Sequence, residues 1–228
     1  MHPQIHSVFH PDLLASWLAM IGFGAYHGLN PGMGWLFALS RGLQQQSDRA
    51  VWTSLLPIAF GHAASISVVA ALLLVAGHLI PPTVLRLSTA AVLLAFGLYK
   101  LFRYYRHPRW IGMDVGMLDL FLWSFLMATA HGAGLMIAPI LIHLASQAGP
   151  MEANLFNSFV MLLAVSVHTL AMLGVMGLVA WIVYKKVGLA ILKKSWLNFD
   201  LIWAVALLLV GALALYSAMS GGHGMSKM

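Results

Sequence analysis

The chain contains no cysteine, which excludes disulfides, thiolate metal sites and thiol redox chemistry. Charge is nearly as scarce: 8% of the 228 residues are Asp, Glu, Lys or Arg, against 61% hydrophobic. That balance cannot clothe a soluble domain and is the signature of a polytopic helical membrane protein. Only six residues are acidic, and none lies near the middle of an apolar run. Oxygen cages for Ca2+ or Mg2+ are therefore disfavoured, as is a proton relay built on Asp or Glu. No nucleotide-binding motif is visible. The net charge of +6 is not a nucleic-acid signature, because the basic residues sit in short gaps between apolar runs and read as topology signals. The first twelve residues lack Lys and Arg, so they do not resemble a cleavable signal peptide.

What the sequence does contain is six runs long enough to cross the hydrocarbon, which takes about 20 mostly apolar residues. They cover roughly 13–40, 51–79, 84–105, 117–146, 155–184 and 197–219. Turn and breaker residues fill the gaps: Gln44 to Ser47, Pro81-Pro82, His107-Pro108, Gly149-Pro150 and Lys193 to Ser195. Residues 1–228 thus read as a single all-α membrane domain of six transmembrane helices. Arg41, Arg49, Lys100, Arg103, Arg106, Arg109, Lys185, Lys186, Lys193 and Lys194 lie in or beside the odd-numbered loops, whereas only Arg86 and Lys227 lie elsewhere. The positive-inside rule then places the odd loops in the cytoplasm and both termini on the periplasmic or external side of a cell inner membrane.

Four histidines fall deep inside these runs, in two matching pairs. His62 follows His27 by 35 positions and His168 follows His131 by 37, and each pair opens with His-Gly, at His27-Gly28 and His131-Gly132. The third runs match as well, LLAFGLYKLF against LLVGALALYS. This order predicts two inverted three-helix repeats, about 13–105 and 117–219, with a substrate site between them.

An imidazole in a bilayer is costly unless paired or bound, so an intramembrane histidine is a functional candidate by default. Imidazole suits Zn, Cu, Ni, Co and Fe. His27, His62, His131 and His168 are accordingly predicted as metal ligands. Around them, Gly28, Pro31 and Gly32 in the first half, and Gly132 and Gly134 with Pro139 as breaker in the second, predict unwound backbone with freed carbonyls. Asn30, Met33 and Met136 are candidate additional ligands, and Ser65, Ser166 and Thr169 are placed to orient imidazoles through their second nitrogen. Met172 and Met176 lie within two turns of a histidine, and thioethers favour Cu(I). Each feature also has a plainer role, as a kinked packing helix, an interhelical hydrogen bond or apolar filler. Asp119 and Asp200 read as interfacial, His78, His107 and His143 as structural. His2, His6 and His10, with the His223/Met225/Met228 tail, could gather metal outside the spans or simply be solvated.

The stretch HGLNPGMGWLFALSRGLQ, followed by LLPIAFGHAASISVVAALLLV, resembles the first two helices of the bacterial nickel/cobalt exporter (NicO-type) family within the LysE-like superfamily. His27, Pro31 and Gly32 match its first-helix motif and His62 its second-helix histidine. Met33 stands where that motif has a second histidine, and no long His-rich loop is present. The resemblance implies a six- or seven-helix inner-membrane bundle that exports divalent metal.

Together these readings predict a non-enzymatic membrane transporter, an exporter of Ni, Co, Zn or Cu, with the lipid bilayer and the cation as partners and a homo-oligomer as an open possibility. The alternatives are a membrane redox protein whose histidines ligate haem, a metalloenzyme or its metal-insertion partner, and an exporter of a small organic solute.

Overall fold

A computed structural model of the chain describes residues 11–102, 115–147, 154–187 and 199–220. Outside these residues lie His2, His6, His10, His107, His223, Met225 and Met228, and also Arg103, Arg106, Arg109, Lys193, Lys194, Lys227 and the Gly149-Pro150 boundary. All regular structure among the described residues is helical. The helices are α1 (Pro11–Leu29), α2 (Trp35–Gln45), α3 (Asp48–Leu79), α4 (Pro82–Phe102), α5 (Met117–His131), α6 (Ala133–Gln147), α7 (Asn154–Ile182) and α8 (Phe199–Ser220). A 3-10 turn, Pro31–Met33, joins α1 to α2, and a π-helical turn, Val183–Val187, extends α7.

Four helices, α3, α4, α7 and α8, are each long and apolar enough to cross a membrane. The pair α5 and α6, bent by 68° at its break, makes a fifth when taken as one span. Their outward faces are made of apolar side chains: Phe60, Leu72, Leu79, Phe102 and Leu213 are 63–81% exposed. Such a surface is stable against lipid and costly against water.

Two helix breaks position the interior. At the first, Pro31 has no N–H to donate, the Asn30 side chain accepts from Gly32 N at 2.9 Å, and Gly34 takes φ 119°, a conformation open to glycine. At the second, Gly132 adopts φ 71° and turns the chain. Pro139 does not break the helix as the sequence suggests; it lies inside α6, seven residues past the turn. A proline withdraws one N–H from a helix that can otherwise continue, whereas the left-handed backbone at Gly132 changes its direction.

The most extensive helix pairings are α4 with α8, α1 with α7, and α3 with α5, while α3 also meets α7 at the centre. Small residues bring these backbones together. A Cβ on Gly24 would overlap the His168 carbonyl in α7, and a Cβ on Gly61 would overlap the Phe121 carbonyl in α5. In the α4–α8 pair, Gly97 faces Leu208 and Gly211 faces Leu94. At one end, Lys185 Nζ meets Asp48 Oδ2 at 2.7 Å and Arg41 donates to the Val115 carbonyl, which gathers the connections that follow α2, precede α5 and follow α7. The opposite end carries Asp12, Arg86, His143 and Ser217 around a cavity of about 470 Å3.

Because the Gly61 contact is with backbone, Gly61→Ala should destabilise the protein by roughly 1–3 kcal/mol, the usual cost of overpacking. Gly22→Ala, where an added Cβ meets nothing within 4 Å, should be neutral or stabilising. Thermal unfolding in detergent distinguishes the two, and equal midpoints would contradict the α3–α5 packing.

Candidate metal centre

Three helices each deliver one histidine to a common point. His168 is the central residue of the 29-residue α7, and His62 lies within two residues of the centre of the 32-residue α3. His27 comes from the last turn of α1. All three are fully buried. One apolar cluster lies to one side, including Leu55, Ile58, Met172 and Met176, and a second to the other, including Met20, Ile66, Ala164 and Val165. Along α3 and α7 the histidines mark the boundary between these clusters.

The rings touch one another. Centroids of His27 and His168 are 4.9 Å apart, His27 and His62 5.2 Å, and His62 and His168, nearly parallel, 5.5 Å. His62 Nε2 lies 3.4 Å from His168 Nε2, and one ring nitrogen from each of the three histidines falls within 4.8 Å of the others. Nitrogens bonded at 2.0–2.1 Å to one metal ion are themselves separated by roughly 3.3–3.6 Å. The His62–His168 pair already has that spacing, and the two sides to His27, each within 4.8 Å, close with a shift on the order of 1 Å.

The hydrogen bonds set the tautomers. His27 Nδ1 lies 2.6 Å from the Phe23 carbonyl and His168 Nδ1 3.2 Å from the Met20 carbonyl. A carbonyl only accepts, so in both rings Nδ1 carries the hydrogen and Nε2 keeps its lone pair. This is the arrangement around a metal-bound histidine, whose other nitrogen donates to a carbonyl or carboxylate. His27 Nε2 and His62 Nδ1 have no hydrogen-bond partner although buried. With His168 Nε2 as acceptor, the His62–His168 contact is made by a hydrogen on His62 Nε2. A metal ion at the centre would require that hydrogen to move to His62 Nδ1.

The fourth predicted ligand is not brought into this group. His131 ends α5, is 2% exposed, and donates from Nδ1 to the Met127 carbonyl at 2.8 Å, repeating the His27–Phe23 bond one turn back. Between it and the triad stands Trp203 of α8. The indole is edge-on to His27 at 4.6 Å and to His131 at 5.3 Å, and stacks on Tyr26 at 5.4 Å. Nothing in the sequence sets Trp203 apart from the seven other tryptophans.

The other predicted participants have different tasks. Asn30 Oδ1 caps the 3-10 turn. Met33 and Met136 are buried in the apolar cluster that also holds Trp203. Gly28 lies against the Met172 carbonyl, and Gly134 against Val69. Pro31 and Gly32 form the turn between α1 and α2, and a Cβ on Gly32 would approach His131 Cε1 at 3.9 Å. The carbonyls expected to be free for a cation are instead taken by indoles: Trp35 donates to Leu29 O and Trp123 to Gly32 O, both at 3.3 Å, and Trp203 donates to His131 O. The hydroxyls do not orient the imidazoles. Ser65 bonds Thr129 at 2.9 Å, Ser166 bonds the Leu162 carbonyl, and Thr169 Oγ1 has no hydrogen-bond partner. In a helix these side chains find nearby carbonyls or a neighbouring hydroxyl first. Asp119 caps α5 by accepting from Gly116 N, and His143 lines the cavity.

That cavity runs among α1, α4, α6 and α8, with Asp12, Ser16, Arg86 and His143 among its polar lining and Phe23 in its wall. The Phe23 carbonyl accepts from His27, so one residue both lines the cavity and holds a member of the triad. Comparison with protein-family models, with curated proteins and with solved structures finds no match for this chain.

Trp203→Phe keeps an aromatic ring between His27 and His131 but deletes the donor to the His131 carbonyl. Losing a buried hydrogen bond costs about 0.5–1.5 kcal/mol, so the variant should unfold at lower temperature or denaturant than the parent. An unchanged midpoint would mean that the carbonyl has another donor.

Proposed function

We propose that the protein is a six-span inner-membrane transporter, working as an exporter of a transition-metal cation that is held by His27, His62 and His168. The observation that carries this reading is the triad: three fully buried imidazoles from three helices, two of them fixed with a lone pair on Nε2, and their ligand atoms within 4.8 Å. Buried polar side chains are normally paired, and a cation would use both the unpartnered His27 Nε2 and the lone pair of His168.

The sixth span is α1 and α2 together, broken at Asn30 to Gly34 as α5 and α6 are broken at Gly132. An inverted repeat of α1–α4 and α5–α8 is supported by the packing. Exchanging the halves converts the α1–α7 pair into α5–α3 and leaves α4–α8 and α3–α7 paired with themselves. The Gly97/Leu208 and Gly211/Leu94 contacts are reciprocal in the same sense. His27 and His131 would be equivalents, each in the last turn of a broken helix and each bonded to the carbonyl four residues back. Helix C-termini carry partial negative charge and favour a cation nearby. Discontinuous helices meeting at the midplane are how many transporters build such sites.

With the odd-numbered connections in the cytoplasm, the cavity opens to the periplasmic or external side and offers a route to or from the triad. His131, behind Trp203, is then a second station and not a ligand in the same shell. The resemblance of the first two helices to nickel/cobalt exporters agrees with this class. Haem fits less well, since axial imidazoles need a macrocycle between them and these rings meet directly. The cavity is the one observation that favours an exporter of a small organic solute, because about 470 Å3 falls within the range of small-molecule pockets.

Alanine at His27, His62 or His168 should each remove near-stoichiometric metal from the purified protein and abolish metal-dependent tolerance or transport in cells. His131→Ala should leave the bound metal in place while impairing transport. Elemental analysis of detergent-purified protein, paired with vesicle flux, checks both. Flux of an organic solute that survives in all the triad variants would favour the other reading.

A further inference from the structure

The charge around the triad narrows which cation it holds. Among the residues whose side chains are described, no Asp or Glu is buried: Asp12 is exposed at the cavity, Asp48 pairs with Lys185 at the far end, and Asp119 is exposed at the start of α5. The only buried Lys or Arg among them is Lys100, itself a cation. The site therefore consists of neutral imidazoles. The nearby helix C-terminus of α1 contributes about half a negative charge, and that of α5, beyond Trp203, at most as much again.

The cost of taking an ion out of water into an apolar interior rises with the square of its charge, so a divalent ion costs four times as much as a monovalent ion of equal size. It is recovered only by compensating charge. Sites that hold divalent metals take their compensating charge from a carboxylate or a thiolate, or, where three histidines bind alone, from a metal-bound water that ionises. Among the described residues this site has neither carboxylate nor thiolate, and apolar clusters flank it on both sides. Fully buried thioethers are available along the same helices, with Met172 one turn after His168, Met176 two turns after it, and Met20 two turns before His27. Nitrogen and thioether ligands without an anion are the set that a soft, singly charged ion accepts.

Resting on the metal-transport reading above, we infer that the substrate is a soft monovalent cation, Cu(I) in preference to Zn(II), Ni(II) or Co(II), coordinated by His27, His62 and His168. Three imidazoles suffice for a three-coordinate ion, and a methionine thioether can complete a fourth position. Without a carboxylate among the described side chains, a divalent ion has no protein anion to offset its second charge and would have to carry a hydroxide into the apolar interior, which a monovalent ion need not do.

The test titrates the full-length protein in detergent under anaerobic, reducing conditions with Cu(I) against a chromophoric Cu(I) chelator. Ag(I), which is monovalent and redox-inert, and Zn(II), Ni(II) and Co(II) are titrated separately. One Cu(I) and one Ag(I) per chain are expected, each bound at least 100-fold more tightly than any of the divalent ions, and all lost in His62→Ala. Exchanging one neutral ligand for a carboxylate, His62→Glu, should shift the ratio of Cu(I) to Zn(II) affinity by at least tenfold towards Zn(II). Should that variant not fold, the wild-type comparison of Ag(I) with Zn(II) decides alone. Zn(II), Ni(II) or Co(II) binding as tightly as the monovalent ions, and lost in His62→Ala, would overturn this inference while leaving the metal site standing. No metal bound by the wild type at all would remove both.

Discussion

An unsatisfied backbone carbonyl inside an apolar bundle is expensive, and the architecture of this interior is arranged around that cost. Two helices are broken within the bundle, at Asn30 to Gly34 and at Gly132, and each break strips carbonyls of their helical partners. Three indoles supply donors: Trp35, Trp123 and Trp203 reach the carbonyls of Leu29, Gly32 and His131. Just before the breaks, His27 and His131 bond to the carbonyls one turn back, of Phe23 and Met127, which also belong to the helices. The histidines are thus fixed by the backbone first. In His27 and His168 the unused Nε2 follows from that fixing, and with His62 these rings form a buried group that could hold a metal ion.

This ordering separates two kinds of residue that look alike in sequence. Pro31, Gly32, Asn30, Gly34 and Gly132 make the breaks, while His27, His62 and His168 come together in one buried group. Small residues at Gly24 and Gly61 then set how closely α1 approaches α7 and α3 approaches α5. Gly24 lies against the His168 carbonyl itself and Gly61 immediately precedes His62, so the spacing of the imidazoles depends on helix packing as much as on the side chains. A larger residue at either glycine would move a ligand-bearing backbone.

Much of the framework was legible in the chain before its structure. The expected run at 51–79 corresponds to Asp48–Leu79, that at 84–105 to Pro82–Phe102, and that at 197–219 to Phe199–Ser220, because length and apolar composition alone define such segments. The broken character of the first run was legible in His27-Gly28-Leu29-Asn30-Pro31-Gly32, since proline and glycine act locally. Three of the four histidines come together; His131 does not, and spacing along the chain could not show that a side chain from α8 would stand between it and the others. The same limit explains the carbonyls and hydroxyls. Which donor reaches Gly32 O or which partner Ser65 takes is decided across helices, by Trp123 and Thr129, and no local pattern announces it. Pro139 misled for a related reason: whether a proline ends a helix depends on what packs beside it.

If His27, His62 and His168 share one metal ion, X-ray absorption at the edge of the metal retained by the purified protein reports it without reference to transport. Three nitrogen scatterers at about 2.0 Å, with the outer-shell pattern of imidazole rings, is the expected spectrum, and the loss of that pattern in His168→Ala ties it to this cluster. A coordination shell made of oxygen, or imidazole scattering that persists unchanged in His168→Ala, would place the metal elsewhere and leave the triad as a packing device.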